Sequence, residues 1–214
     1  MATRALPEGL RDHADGLRRC FWCGDDPGYV AYHDDEWAQP VASDVRLYEK
    51  LSLEGFQSGL SWLTILRKRE GFRRAFAGFE PEKVARFGER DVERLLGDAA
   101  IVRHRGKIEA AIHNAGRVLD VIEEHGSLAA FVWRFEPPVA ERPKKVTKAA
   151  LMKMATTPAS GRLAKELKRR GFRFVGPTTA YAFMQAMGLV DDHIEGCAIR
   201  PRVEAARKAF PRPR

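Results

Sequence analysis

Helix starts and stops recur along this chain, and they constrain its fold more than any other feature. Ser43 stands where an N-cap belongs, ahead of a segment in which Leu47, Leu51 and Leu53 recur near helical spacing. LSWLTILRKREGFRRAF continues the pattern with Leu63, Leu66 and Phe76 facing inward. Pro81 occupies the first-turn position of PEKVARF. DVERLL predicts a short helix and RGKIEAAIHNAGRVLDVIEEHG a long one, with Ile108, Ile112, Val118 and Ile122 near one stripe and Gly126 as its stop. Ser127 starts LAAFVWRF, GRLAKELKRRG closes at Gly171, and Pro177 opens TTAYAFMQAMG, which closes at Gly188. FRFV, residues 172–175, has strand composition but no partner strand. The polar stretch from Glu136 to Pro143 reads as a linker between two lobes. The predicted class is all-α.

With 214 residues, 44% of them hydrophobic, the chain can bury a sizeable core. It contains no run of about 18 apolar residues, so no membrane-spanning helix is expected. Its first residues lack the apolar centre of a secretory signal, and Glu8, Asp12 and Asp15 argue against a transit peptide. The expectation is a cytoplasmic protein with no membrane partner, whose residues 1–18 form a flexible polar arm.

Formal net charge is +8, and the excess is clustered in RHRGK (Arg103 to Lys107), RPKK (Arg142 to Lys145), KELKRR (Lys165 to Arg170) and the tail RKAFPRPR. A nucleic acid is the natural partner, since Lys and Arg displace its condensed counterions; a solvated basic surface gives the same composition.

Three cysteines are too few for a disulfide framework. Cys20 and Cys23 form C-x-x-C, which alone fits a redox pair, half a zinc site or coincidence, though no βαβ setting for a redox pair accompanies it. His193 and Cys197 stand four apart, which on a helix puts them on one face. A structural zinc takes four nitrogen or sulfur ligands. Cys20, Cys23, His33, His193 and Cys197 offer one more than needed, and spacing alone favours the C-x-x-C pair. In LEGFQSGLSW, Glu54 lies among Leu51, Leu53, Phe56 and Leu60, where a carboxylate must reach solvent or meet a partner.

Taken together, RC-x-W, DP-x-Y-x-AYHD-x-EW, LEG-x-Q-x-GLSW, DVERLL, RHRGKI, KRRGF-x-FVG-x-T and FMQA-x-GLV-x-DH-x-x-GC resemble 3-methyladenine DNA glycosylase I. These are zinc-containing bacterial alkylbase glycosylases of the helix-hairpin-helix superfamily. The likeness runs from about Arg19 to about Cys197, in the family's order.

The resemblance implies a glycosylase domain over residues 19–198, with two helical lobes and one structural zinc joining its N- and C-terminal parts. It also implies the ligands Cys20, His33, His193 and Cys197, leaving Cys23 out. A filled four-ligand site has no open position for water, so the metal's role is structural. By the same resemblance Glu54 contacts the extruded base, Trp62 stacks on it and Tyr32 lines the pocket, with Trp22 and Tyr29 as further wall. Such a pocket suits a purine made cationic by N3-methylation, which an aromatic face and a carboxylate both attract. The implied reaction is monofunctional hydrolysis of the N-glycosidic bond in double-stranded DNA containing alkylated purines. The alternatives are a noncatalytic zinc-stabilised DNA-binding module and a glycosylase of shifted alkylpurine specificity.

DVERLL followed by GDAAIVRHRGKI reads as helix, hairpin, helix, with Gly106 and Lys107 expected at a backbone phosphate and Arg103 and Arg105 as auxiliaries. Phe56 is a departure from the family pattern beside the pocket carboxylate, and it is expected to narrow the site or to change which alkylated purine is preferred. Asp120 and Glu123 read as solvated helix charges. Residues 199–214 are expected to be a basic, flexible tail, and the protein a monomer.

Overall fold

The computed structural model describes residues 8–214; residues 1–7 of the expected arm lie outside the described residues. In chain order the helices are α1 (Pro27–Asp35), α2 (Asp44–Gln57), α3 (Trp62–Ala75), α4 (Pro81–Val84), α5 (Glu89–Gly97) and α6 (Arg105–His125). Then come α7 (Leu128–Trp133), α8 (Lys148–Leu151), α9 (Pro158–Arg169), α10 (Pro177–Ala186) and α11 (Arg200–Ala209).

Local chemistry sets most boundaries. The hydroxyls of Ser43, Ser61 and Ser127 accept from the amides of Arg46, Thr64 and Ala130, capping α2, α3 and α7. Thr157 and Ser160 cap α9 reciprocally. Gly126 ends α6 at φ 80°, in the left-handed region. Asp26 caps α1 by accepting from Tyr29 N at 3.0 Å, with Pro27 at the first position. That helix was not expected, because the apolar residues of PGYVAYHDD form no stripe.

α2 is the central element and packs against α3, α6, α7 and α10. Leu47, Tyr48, Leu51, Leu53 and Phe56 are buried on it, and Tyr48 OH donates to Ala111 O of α6 at 2.8 Å. Each large apolar side chain so buried stabilises by about 1.5–3 kcal/mol. Three charged residues of α2, Glu49, Lys50 and Glu54, are buried as well. Burying charge costs far more than burying polar surface, so they need partners.

A close approach orients the C-terminal segment. A Cβ on Gly188, just past α10 at φ +78°, would sit 2.6 Å from the backbone of Gln39 and Pro40. Glycine there lets residues 189–199 run back beside α1, supported by Val41 N donating to Met187 O at 3.3 Å.

FRFV, without a partner strand, forms none, and Phe174 has φ 56°. Three expectations change. Residues 10–12, in the expected arm, pair with residues 18–20 across its boundary in an antiparallel hairpin of β1 (Leu10–Asp12) and β2 (Arg18–Cys20), so the fold is mostly helical with one small sheet. The tail forms α11, whose Arg207 is buried and shares the Glu136 carboxylate with Arg142 and Arg212. This network also ties down the start of the expected linker. Residues 191–199 run as turns rather than a helix, with Cys197 N donating to Ile194 O at 2.9 Å.

Candidate active site and metal centre

The last two turns of α2 carry Glu54, α1 carries Tyr29 and Tyr32, and α3 begins with Trp62. These residues and Trp22 line one cavity of about 260 Å³. Their rings form a connected wall: Tyr32 and Trp62 have centroids 5.4 Å apart, Tyr29 and Tyr32 6.4 Å, and Trp22 and Tyr29 5.2 Å. Glu54 is 6% exposed. The expectation that it meets a partner or faces solvent resolves as a partner, since Lys50 Nζ lies 2.9 Å from its Oε1.

Lys50 was missed at the sequence level, although its place four residues before Glu54 on one helix was a readable signal. Its ammonium also donates to Tyr32 OH at 2.8 Å and lies 3.1 Å from the Trp62 ring centroid. Burial lowers the Lys50 pKa to about 8, against the raising effect of Glu54. Burial, then the Glu54 charge, holds Tyr32 well above the usual phenol range. Gln57, Gln185, Phe21 and Met152 are among the other residues that line the hollow and were also not anticipated. The Trp62 indole nitrogen is buried without a hydrogen-bond partner. A larger cavity of about 410 Å³ beside α11 holds none of the expected pocket residues; charged side chains dominate its lining and Tyr181 is its one aromatic.

A second cluster joins the two ends of the chain. Cys20 at the end of β2, His33 on α1 and Cys197 after α10 are buried, with donor atoms within 4.8 Å of one another. Cys197 Sγ is 3.7 Å from His33 Nε2. Tetrahedral zinc with ordinary bond lengths sets such donors roughly 3.5–3.8 Å apart. The neighbouring Cys20 and then His33 hold Cys197 well below the usual thiol range, against the effect of burial, while Cys197 and then burial push Cys20 up. His193 stands edge-on to His33 with ring centroids 4.8 Å apart, but its Nε2 lies 3.4 Å from the His33 carbonyl, outside the tight donor group. Each histidine has a carboxylate on Nδ1 at 2.7 Å, Asp34 for His33 and Asp191 for His193. Such contacts leave Nε2 as the free donor and orient metal-binding imidazoles generally. Cys23 lies apart, its thiol donating to Cys20 O at 3.1 Å and standing 4.0 Å from His13 Nε2.

The expected DNA-contact residues lie in the turn between α5 and α6 and at the start of α6. Lys107 is buried, and its ammonium donates to Phe56 O at 3.0 Å and Ser58 O at 2.6 Å, closing the C-terminus of α2. It is therefore a structural cap, its ammonium turned toward the end of α2. Arg105 bridges Glu89, Glu93 and Glu109 and pins α5 to α6. Arg103 is exposed in the turn, and Gly106 lies in the first turn of α6. Phe56 does not narrow the pocket: it packs on Phe72 and Phe76, with centroids 4.6 and 5.8 Å away, because residues two apart on a helix face different ways. Asp120 pairs with Arg117 at the surface, and Glu123 is exposed.

The cavity is an aromatic hollow among helices with a carboxylate in its wall, a shape that suits a flat, polar ring. A model of the methyladenine glycosylase family matches residues 22–200. The chain belongs to that family. DNA-3-methyladenine glycosylase 1 of Escherichia coli (strain K12) is 48% identical over 186 residues, covering 86% of this chain and 98% of that one. DNA-3-methyladenine glycosylase of Haemophilus influenzae is 43% identical over 180 residues, covering 84% and 96%. A solved structure of 3-methyladenine DNA glycosylase I from Staphylococcus aureus, which concerns recognition of 3-methyladenine, matches with TM-score 0.78 at 38% identity, covering 86% of this chain and 96% of that one.

Proposed function

We infer that this protein is a DNA repair glycosylase that hydrolyses the N-glycosidic bond of 3-methyladenine in alkylated DNA, releasing the free base and leaving an abasic site. The observation that carries this reading is that Glu54, Tyr32 and Trp62, from three different helices, face one cavity of about 260 Å³. The relatives that span nearly all of their own length on this chain are named for the same activity.

The chemistry follows from the residues. An N3-methylated adenine in DNA is cationic and already a good leaving group, so the bond needs little acid assistance. The work lies in extruding the nucleotide and holding the departing base. Trp62 offers a π-face, and the Glu54 carboxylate accepts from the exocyclic amine with a charge-assisted bond. Tyr32, Trp22 and Tyr29 enclose the ring, and Gln57 and Gln185 add neutral polar groups. Breaking the bond leaves its electron pair on the base, which departs as neutral 3-methyladenine while water adds to the sugar, so these contacts serve to bind and orient the extruded cationic base.

Zinc is read as structural. Cys20, His33 and Cys197 fit it by donor type, burial and spacing, and His193 with its Asp191 support is the fourth ligand in this reading. Bound zinc would clip the hairpin and α1 to the segment after α10, adding binding energy to folding energy. The turn between α5 and α6 is read as the hairpin that grips DNA: amides at the start of α6, including that of Gly106, face a phosphate, and Arg103 adds charge. Among the described residues no helix is long and apolar enough to cross a membrane. A monomer acting on duplex DNA in the cytoplasm suits this reading.

The test is incubation of methylated DNA with the protein and chromatography of the released bases. Free 3-methyladenine is expected. DNA binding without any release would instead favour the noncatalytic module, and release of other alkylpurines in preference would favour shifted specificity.

A further inference from the structure

Lys50 touches all three central members of the base pocket. Its ammonium is 2.9 Å from Glu54 Oε1, 2.8 Å from Tyr32 OH and 3.1 Å from the Trp62 ring centroid. It does not line the 260 Å³ hollow. It lines instead a small cavity of about 20 Å³ behind it, and Tyr32 and Trp62 are wall to both. The lysine therefore sits at the rear of the aromatic wall, while Glu54 reaches the front.

We propose that Lys50 is a positioning and specificity-setting residue of the base pocket: an internal cation that fixes Glu54, Tyr32 and Trp62 as one unit and sets the charge against which a base is recognised. The inference rests on the base-pocket reading above. A buried carboxylate without a partner takes a proton or leaves its site, and either change removes the acceptor for an exocyclic amine. One Glu54 oxygen engaged from behind keeps the carboxylate aimed at the hollow. The same ammonium covers the rear of the Trp62 ring, so that an incoming base stacks on the front face. It also offsets the Glu54 charge, so attraction for a positive base is muted and fit and hydrogen bonding carry more of the discrimination. Lysine at this place thus acts through its neighbours and not on the base itself.

The test is a double-mutant cycle on the full-length chain, with Lys50→Met, Glu54→Gln and the double variant. The readouts are affinity for free 3-methyladenine and single-turnover release from methylated DNA. Lys50→Met alone should weaken both by about tenfold or more, the scale of a lost charge-assisted bond. In the Glu54→Gln background the same change should alter either readout by about twofold at most, because Lys50 then has no carboxylate to hold. Lys50→Arg should restore part of the loss. Should Lys50→Met fail to fold, the comparison of Glu54→Gln with the double variant decides alone. Trp emission offers an independent signature: the wild type and Lys50→Met spectra should differ, and that difference should vanish in a Trp62→Phe background. A Lys50→Met penalty equally large with and without Glu54→Gln, or an emission difference that survives Trp62→Phe, would overturn the proposal. If wild type releases no base at all, the base-pocket reading fails instead, and the emission experiment still reports on Lys50.

Discussion

His33 Nδ1 lies 2.7 Å from Asp34 Oδ1, and that contact leaves Nε2 as the ring nitrogen facing Cys197 Sγ at 3.7 Å. Asp34 is itself held by Arg19, so a chain of contacts running from the hairpin through Asp34 to His33 fixes the donor. Metal analysis should find about one zinc per chain in wild type and in Cys23→Ser, and a loss in Cys20→Ser, His33→Ala and Cys197→Ser. Asp34→Asn should weaken zinc affinity by about 10–100-fold, and chelation should lower the melting temperature. Retention of zinc in His33→Ala together with its loss in Cys23→Ser would reverse the assignment.

Lys107 should matter for stability and not for charge on DNA. Lys107→Met removes the donors to the Phe56 and Ser58 carbonyls. It is expected to destabilise by about 1–3 kcal/mol in a urea titration. The salt dependence of DNA binding should not change.

Arg103 is the contrasting case. Exposed in the turn before α6, it should contribute one phosphate contact. Arg103→Ala is expected to weaken binding to damaged and undamaged duplex alike and to reduce the slope of log K against log salt by about 1. Equal slopes for the two proteins would remove the turn from the DNA interface.

The tie between α6 and α9 should set part of the acid limit of stability. Hydrogen bonds from Arg170 lower the Glu124 pKa to about 2, and those from Arg169 and Arg170 do the same for Glu166. Since folding depresses both carboxyls, their stabilisation is complete above their unfolded pKa near 4.5 and disappears as pH falls toward about 2. Glu124→Gln with Glu166→Gln should flatten stability against pH across that window and leave the neutral range nearly level.

What the sequence made legible was local. Ser43, Ser127, Gly126 and Pro177 act within one turn of themselves, and their helices lie where these residues indicate. The pocket residues Tyr32, Glu54 and Trp62 were available through motifs whose meaning comes from resemblance, and the structure places them around one hollow. What escaped depended on direction and distant partners. RHRGK looks like a uniformly basic surface, yet helical rotation turns Lys107 inward while Arg103 stays out. Phe56 and Glu54 are neighbours in the chain but face the core and the pocket respectively. His193 and Cys197 have helical spacing, yet turns carry them, because Gly188 and its close approach to Gln39 and Pro40 set the path. Lys50 was readable as a partner four residues before Glu54, but its contact with Trp62 depends on Trp62 lining two cavities, which only the fold shows.

Glu54 offers the most direct test of recognition by an aromatic hollow with an anionic wall. Under single-turnover conditions on methylated duplex, chromatography should show Glu54→Gln releasing 3-methyladenine at least about tenfold more slowly than wild type, as expected for loss of a charge-assisted hydrogen bond worth about 1.5–3 kcal/mol. Its fold, judged by circular dichroism and melting, should persist. Release by Glu54→Gln at the wild-type rate would contradict the account, because the carboxylate would then have no part in holding the departing base.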